Sequence, residues 1–184
     1  RSRQIILKNQ HPSGAYVACP DFAPYRYSWF RDGAYIAYSM DLVGEHRSAA
    51  RFHLWASEAV RRRKEVVLRA VRKAESGQPI LNNDILHTRY TLEGDEATEE
   101  WQNFQLDGFG AWLWALANHV ELSGDARLLA DVAEGVKLTV RYLAASWRLP
   151  NSDCWEEHPE ELHPHTLAAV YGGDRDAAGR LCSK

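Results

Sequence analysis

The stretch that most limits what this chain can fold into is GFGAWLWALANHVEL, residues 108–122. It is apolar nearly all round, so a helix built from it must be covered on several sides. DGAYIAYSMDLV, residues 32–43, reads the same way and stops at Gly44, a plausible C′ residue. The longer segments that follow each of these are amphipathic. Residues 47–75 carry an apolar stripe at Phe52, Trp55, Ala59, Val66, Val67, Ala70, Val71 and Ala74, at helical spacing. Residues 126–147 repeat the pattern at Leu129, Val132, Ala133, Val136, Val140, Leu143 and Ala144, after a turn in which Ser123 or Asp125 is the candidate N-cap. Alternating inner and outer helices joined as hairpins build a helical toroid, with the inner ring enclosed and the outer ring facing water. A short helix over residues 1–9 and a last one from His165, broken or bent around Gly172-Gly173, complete six helices. The prediction is an all-α arc of three helical hairpins, about half a ring. LHTRYTLEG, residues 86–94, alternates like a short β-hairpin. No fixed-period repeat points to a solenoid.

At 184 residues the chain has the size of one domain, able to bury roughly 70% of its unfolded surface. Its formal net charge of −3 gives no field that draws the whole chain to nucleic acid or to an anionic membrane. The basic run Arg61-Arg62-Arg63-Lys64 reads as a solvated helix face beside Glu58 and Glu65. No run of eighteen apolar residues is present. Three cysteines without tight spacing, Cys19, Cys154 and Cys182, suggest reduced thiols and a cytoplasmic setting. RSRQIILK reads like the middle of a helix, so further sequence is expected upstream.

Seven Trp, eight Tyr and five Phe supply flat surfaces, and they gather beside polar residues at three places. YRYSWFRD (residues 25–32), WQNFQLDGFG (101–110) and DCWEEH (153–158) each precede an expected inner helix. In such a toroid the inner-helix N-termini share one rim, so the three clusters should meet in one pocket. Aromatic planes beside Arg, Asp, Gln and Glu suit a neutral polyol: stacking for its C–H face, hydrogen bonds for its hydroxyls. Glu156, packed near Trp155 and next to Glu157, is the candidate general acid, its neutral form favoured by desolvation and like charge. Arg31 and Asp32 offer a donor fork and an acceptor for vicinal hydroxyls, although Asp32 reads equally as a cap or ion-pair partner at a helix start.

YSWFRD, W-x-x-x-Q-x-D-G at Trp101, Gln105, Asp107 and Gly108, and D-x-W-E-E at Asp153 to Glu157 together resemble glycoside hydrolase family 15. That family holds glucoamylase-type enzymes, including glucodextranases, some trehalases and isomaltose-releasing glucohydrolases. The resemblance runs over roughly residues 1–175. It implies an (α/α)6 barrel and inverting release of glucose from the non-reducing ends of α-glucosides or oligosaccharides, with no metal or other cofactor. By position, Glu156 matches the general acid and Glu157 its substrate-binding neighbour. Arg31 and Asp32 match the pair that holds the terminal glucose, with Tyr25 and Trp29 as aromatic residues of that subsite. Trp101 matches a tryptophan lining the next subsite, Trp155 a residue bordering the terminal sugar, and Gln105 and Asp107 a pocket-rim motif. Cys154 and His158 depart from the usual residues and leave the linkage open.

Inverting hydrolysis needs a second carboxylate about 6.5–9.5 Å from the first. The acids of GDEATEE (residues 94–100) and GDRD (173–176) do not resemble the family's base motif. The expectation is therefore the N-terminal half of a catalytic domain, continuing beyond residue 184, inactive alone and partnered by the remainder of that domain. Two other readings stand beside it. Cys154, His158, His163 and His165 offer ligands for a metal, although at no familiar zinc spacing. A barrel of this type can also serve as a non-catalytic glucan-binding or regulatory module.

Overall fold

A computed structural model describes residues 1–177 and Gly179. Cys182, the third of the cysteines expected to be reduced, lies outside the described residues; Cys19 and Cys154 are free thiols. Seven α-helices and one two-residue ladder appear among the described residues: α1 (Ser2–Asn9), β1 (Ser28–Trp29), α2 (Phe30–Leu42), α3 (His46–Arg61), α4 (Lys64–Glu75), β2 (Arg89–Tyr90), α5 (Asp107–Ser123), α6 (Leu128–Ser146) and α7 (Pro164–Asp176). Helices α2, α5 and α7 pack side by side as an inner layer, and α3, α4 and α6 lie outside them. α2 and α3 form one hairpin and α5 and α6 the next, which is the arc of paired helices that the alternation predicts.

The greasiest segment takes the most enclosed place. Twelve of the seventeen residues of α5 are buried, because it is contacted by α2, α3, α6 and α7. α2 is less enclosed than its sequence suggests: Phe30, Ala34, Ala37 and Met40 are buried, while Tyr35 and Leu42 are exposed. Phe30 anchors the start of α2, its ring 4.7 Å from Phe109 and edge-on to Trp112 at 5.8 Å. That burial starts the helix two residues earlier than Asp32. Gly44 ends it as expected, with φ +79° and its N–H bonded to Asp41 O. At the start of α6, the carboxylate of Asp125 accepts from the N–H groups of Arg127 and Leu128.

The single helix expected over residues 47–75 is two helices. The chain turns at Arg62-Arg63 because these residues are recruited by the neighbouring loop. Arg62 Nη1 donates to Glu93 O at 3.0 Å, and Arg63 sits over the Tyr90 ring at 4.3 Å while pairing with Glu96 at 2.9 Å. Arg61, Arg62 and Lys64 keep the expected solvated face, the two arginines paired with Glu58 and the lysine with Glu134; Arg63 alone of the four is drawn in. The expected hairpin is also different in part. Residues 91–95 do turn back, but Arg89 and Tyr90 pair antiparallel with Trp29 and Ser28. Nor is α7 broken at Gly172-Gly173; it runs through to Asp176.

That last difference has a steric cause. Gly110 and Gly173 let the backbones of α5 and α7 touch: a Cβ on Gly110 would lie 2.3 Å from Ala169 O, and one on Gly173 would lie 2.4 Å from Gly110 O. Gly172 faces open space. Gly110→Ala is therefore expected to lower stability by about 1–3 kcal/mol through overpacking. Gly172→Ala should shift it by less than about 1 kcal/mol, in the stabilising direction. Chemical denaturation of both variants checks the pair, and equal effects would contradict the close approach.

Candidate active site

The loop Asp153–His158 before α7 is wound tightly enough to place one side chain inward. The Asp153 carboxylate accepts from the N–H groups of Trp155 (2.8 Å) and Glu157 (3.0 Å), which holds its pKa below the usual aspartate value. Asp153 O accepts from Glu156 N–H, and Asp153 N–H donates to Glu157 O. Glu156 is left at φ +67° and His158 at +49°, a region that costs a non-glycine residue about 1 kcal/mol or more. Buried Asn151 and Ser152 bind the loop's base to the 101–106 segment: Leu106 N–H donates to Asn151 Oδ1, and Ser152 N–H to Phe104 O.

The left-handed turn aims Glu156 at the first cluster. Its Oε1 accepts from Trp29 Nε1 at 2.8 Å and from Gln105 Nε2 at 3.1 Å, with Arg31 Nη2 at 3.9 Å. Among the described residues its Oε2 has no hydrogen-bond partner. The indole against this carboxyl is thus Trp29, and it meets the acid through its N–H. Trp155, expected to pack on Glu156, points outward and is 79% exposed. Adjacent residues in this turn diverge, so chain neighbours do not become packing neighbours. Glu157 is exposed as well and does not line the cavity next to Glu156.

That cavity, about 170 Å³, is lined by Tyr25, Trp29, Arg31, Asp32, Cys154, Trp155 and Glu156. Tyr25 stacks on Trp29 at 5.5 Å, and Trp101 meets Trp29 edge-on at 5.8 Å. Trp101 itself borders a separate cavity of about 500 Å³, lined also by Asn82, His87, Phe104 and Asn151, which contains none of the charged cluster. Gln105 and Asp107 stand behind Arg31. Arg31 Nη1 donates to Gln105 Oε1 at 2.9 Å and to Asp107 Oδ2 at 3.0 Å. Burial would depress the Arg31 pKa, but the Asp107 carboxylate outweighs it and the net shift is upward. Burial raises the Asp32 pKa, against the opposing pull of Arg31. Both aspartates lie in a helical first turn, where the dipole favours negative charge.

The first two clusters and Glu156 of the third therefore meet, as the shared rim predicts. The proposed metal ligands do not: His163 Nε2 lies at His158 O (3.0 Å) and His165 Nε2 at Asp107 Oδ2 (3.4 Å). One residue escaped sequence reasoning. Arg89, 1% exposed, lies beneath the aromatic wall, with its guanidinium carbon 4.3 Å from Trp101, 4.5 Å from Tyr27 and 5.5 Å from the Trp29 ring centre. Only its place opposite Trp29 in the β1–β2 ladder explains it, and no motif around residue 89 carries that signal.

A family model described as glycosyl hydrolases family 15 matches residues 2–173. An isomaltose glucohydrolase of Kribbella flavida is 38% identical over 173 residues, which cover 94% of this chain and 44% of that protein. An uncharacterized glycosyl hydrolase of Methanocaldococcus jannaschii is 28% identical over 176 residues, covering 94% and 25%. A solved wild-type glycosidase superposes with a TM-score of 0.91 at 36% identity, over 97% of this chain and 48% of that one; a glycosidase solved in complex with glucose gives the same values. The chain spans less than half the length of these relatives. It belongs to glycosyl hydrolases family 15, and its paired helices are part of that family's helical barrel.

Proposed function

We propose that the cavity between Trp29, Arg31, Asp32 and Glu156 holds the terminal glucose of an α-glucoside, and that Glu156 is the general acid of an inverting, exo-acting hydrolase. The observation that carries this reading is the posture of one carboxyl group. Two neutral donors, Trp29 Nε1 and Gln105 Nε2, fix Oε1, and Oε2 is left for a proton and a leaving oxygen. A strained φ at the same residue is the kind of local expense found where a side chain must point one way for function. Arg31 has its Nη1 occupied by Gln105 and Asp107, and its Nη2 side turns towards Glu156. Together with the carboxylate of Asp32 it offers the donor and acceptor that a pair of sugar hydroxyls needs. Tyr25 and Trp29 supply the stacking wall.

The chemistry follows from that arrangement. Glu156 delivers its proton to the glycosidic oxygen as the C–O bond breaks. A water on the opposite face of the sugar then needs a base about 6.5–9.5 Å from the acid. The relatives are more than twice as long as this chain. We place the base in sequence corresponding to their other half, so that both halves make one catalytic domain and one site. Isomaltose is the first substrate to test, since the relative with 38% identity is an isomaltose glucohydrolase; maltose and trehalose are the comparisons that define the linkage.

Full-length protein should release glucose as the β-anomer, seen by NMR before mutarotation; initial α-glucose would reject inversion. Glu156→Gln should lower kcat by about 10²–10⁴-fold, the range a single general acid supplies. The 184-residue chain alone should release none, and glucose release by it that disappears in Glu156→Gln would contradict the placement of the base. Asp107→Asn removes the counter-charge from Arg31 without touching the cavity. It should raise KM for the glucoside while kcat changes less, and an unchanged KM would remove Arg31 from the sugar-holding role.

A further inference from the structure

Away from the cavity, where α2 ends, a second polar cluster is sealed between three helices. Asp41 of α2, His53 of α3 and His119 of α5 place a carboxylate oxygen and two imidazole nitrogens within 4.8 Å of one another, and all three residues are buried. Their partners are uneven. His119 Nδ1 lies 2.8 and 3.0 Å from the two oxygens of Asp41, and His46 Nδ1 approaches Asp41 Oδ1 at 2.8 Å. His53 is fully buried with its ring 5.1 Å from that of His119, yet neither of its ring nitrogens has a hydrogen-bond partner among the described residues. A buried imidazole normally satisfies at least one nitrogen. Here a lone pair is held beside a carboxylate and a second imidazole with nothing in the protein to receive it.

We propose that Asp41, His53 and His119 form a buried structural site for a divalent transition-metal ion of the zinc class, closed by the imidazole of His46. Imidazole and carboxylate ligands suit zinc, and His46, its Nδ1 2.8 Å from Asp41 Oδ1 but outside the three-residue cluster, would turn inward to supply the fourth ligand. The ion takes the His53 lone pair and replaces the shared hydrogen bond between Asp41 and His119. A ring proton displaced from His119 Nδ1 is accommodated at Nε2, where Ser123 Oγ stands at 3.4 Å to receive it. The His46 side chain is 38% exposed, which leaves a path by which the ion enters. The ion would tie the end of α2 to α3 and α5. Those helices carry Arg31 and Asp107 at the far end of α2 and at the start of α5, so the site sets the frame without entering the chemistry.

The test uses full-length protein stripped with a chelator and then titrated with zinc, followed by elemental analysis and thermal denaturation. One zinc per chain with a raised Tm is expected, as is a Co²⁺ form with the visible bands of a four-coordinate nitrogen/oxygen site. His53→Ala should lose the bands and the bound zinc. His46→Ala, at the half-exposed position where the core is undisturbed, should weaken zinc binding tenfold or more, and serves if His53→Ala does not fold. Wild-type protein that takes up no stoichiometric zinc and keeps its Tm would assign the cluster to hydration and overturn the proposal. So would a folded His53→Ala or His46→Ala that binds zinc as tightly as wild type.

Discussion

Arg31 stands where the first turns of α2 and α5 meet the loop before α7, and three chain segments are arranged around its guanidinium. Asp107, 1% exposed at its side chain, balances the charge from α5; Gln105 takes a further N–H; Glu156 lies 3.9 Å away in the loop. Two charges taken out of water are tolerable only while each is paired and hydrogen-bonded, and removing one partner costs about 3–5 kcal/mol. The arrangement thus couples stability to geometry. Neither helix start can shift without breaking the pair, and the carboxyl of Glu156 is positioned through the same Gln105 that holds Arg31. The ring contact of Phe30 with Phe109, one residue from Arg31 and two from Asp107 in the chain, ties the same two helix starts together in the core.

The aromatic wall depends on a similar compensation. Trp29, Trp101 and Tyr27 would make a poorly supported overhang at the edge of a two-residue ladder, but the Arg89 guanidinium fills the space behind their rings. Its charge faces ring quadrupoles on one side and Glu99 on the other, at 3.7 Å. A planar, delocalised cation can do this, whereas an ammonium would lack the matching flat contact. The cavity-facing side of Trp29 is therefore stiffened by a residue that does not line the cavity.

Much of this was legible in the chain. Helices that are apolar all round marked α2 and α5 as inner, although α2 leaves Tyr35 and Leu42 exposed. The three aromatic-acidic clusters marked the rim, since each stands at or before an inner-helix start. Other features depended on contacts distant in sequence. The break at Arg62-Arg63 needs Glu93, Glu96 and Tyr90, about thirty residues on, and within residues 47–75 nothing interrupts the helical period. Arg89 is marked by nothing local, since its partners Tyr27, Trp29 and Trp101 come from other segments.

The sequence by itself determined which residue types meet at the rim and that helices carry them, because periodicity and composition are local properties. It also singled out Glu156 as the candidate general acid. Which indole faces that carboxyl was decided only by tertiary structure. Backbone bonds to Asp153 force Glu156 through a left-handed turn, sending its side chain to Trp29 and the side chain of Trp155 into solvent. The same holds for Asp41, His53 and His119, drawn from three helices and separated by up to 78 residues. Direction of a side chain and proximity across helices arise from packing, and packing is not written in any single stretch of the chain.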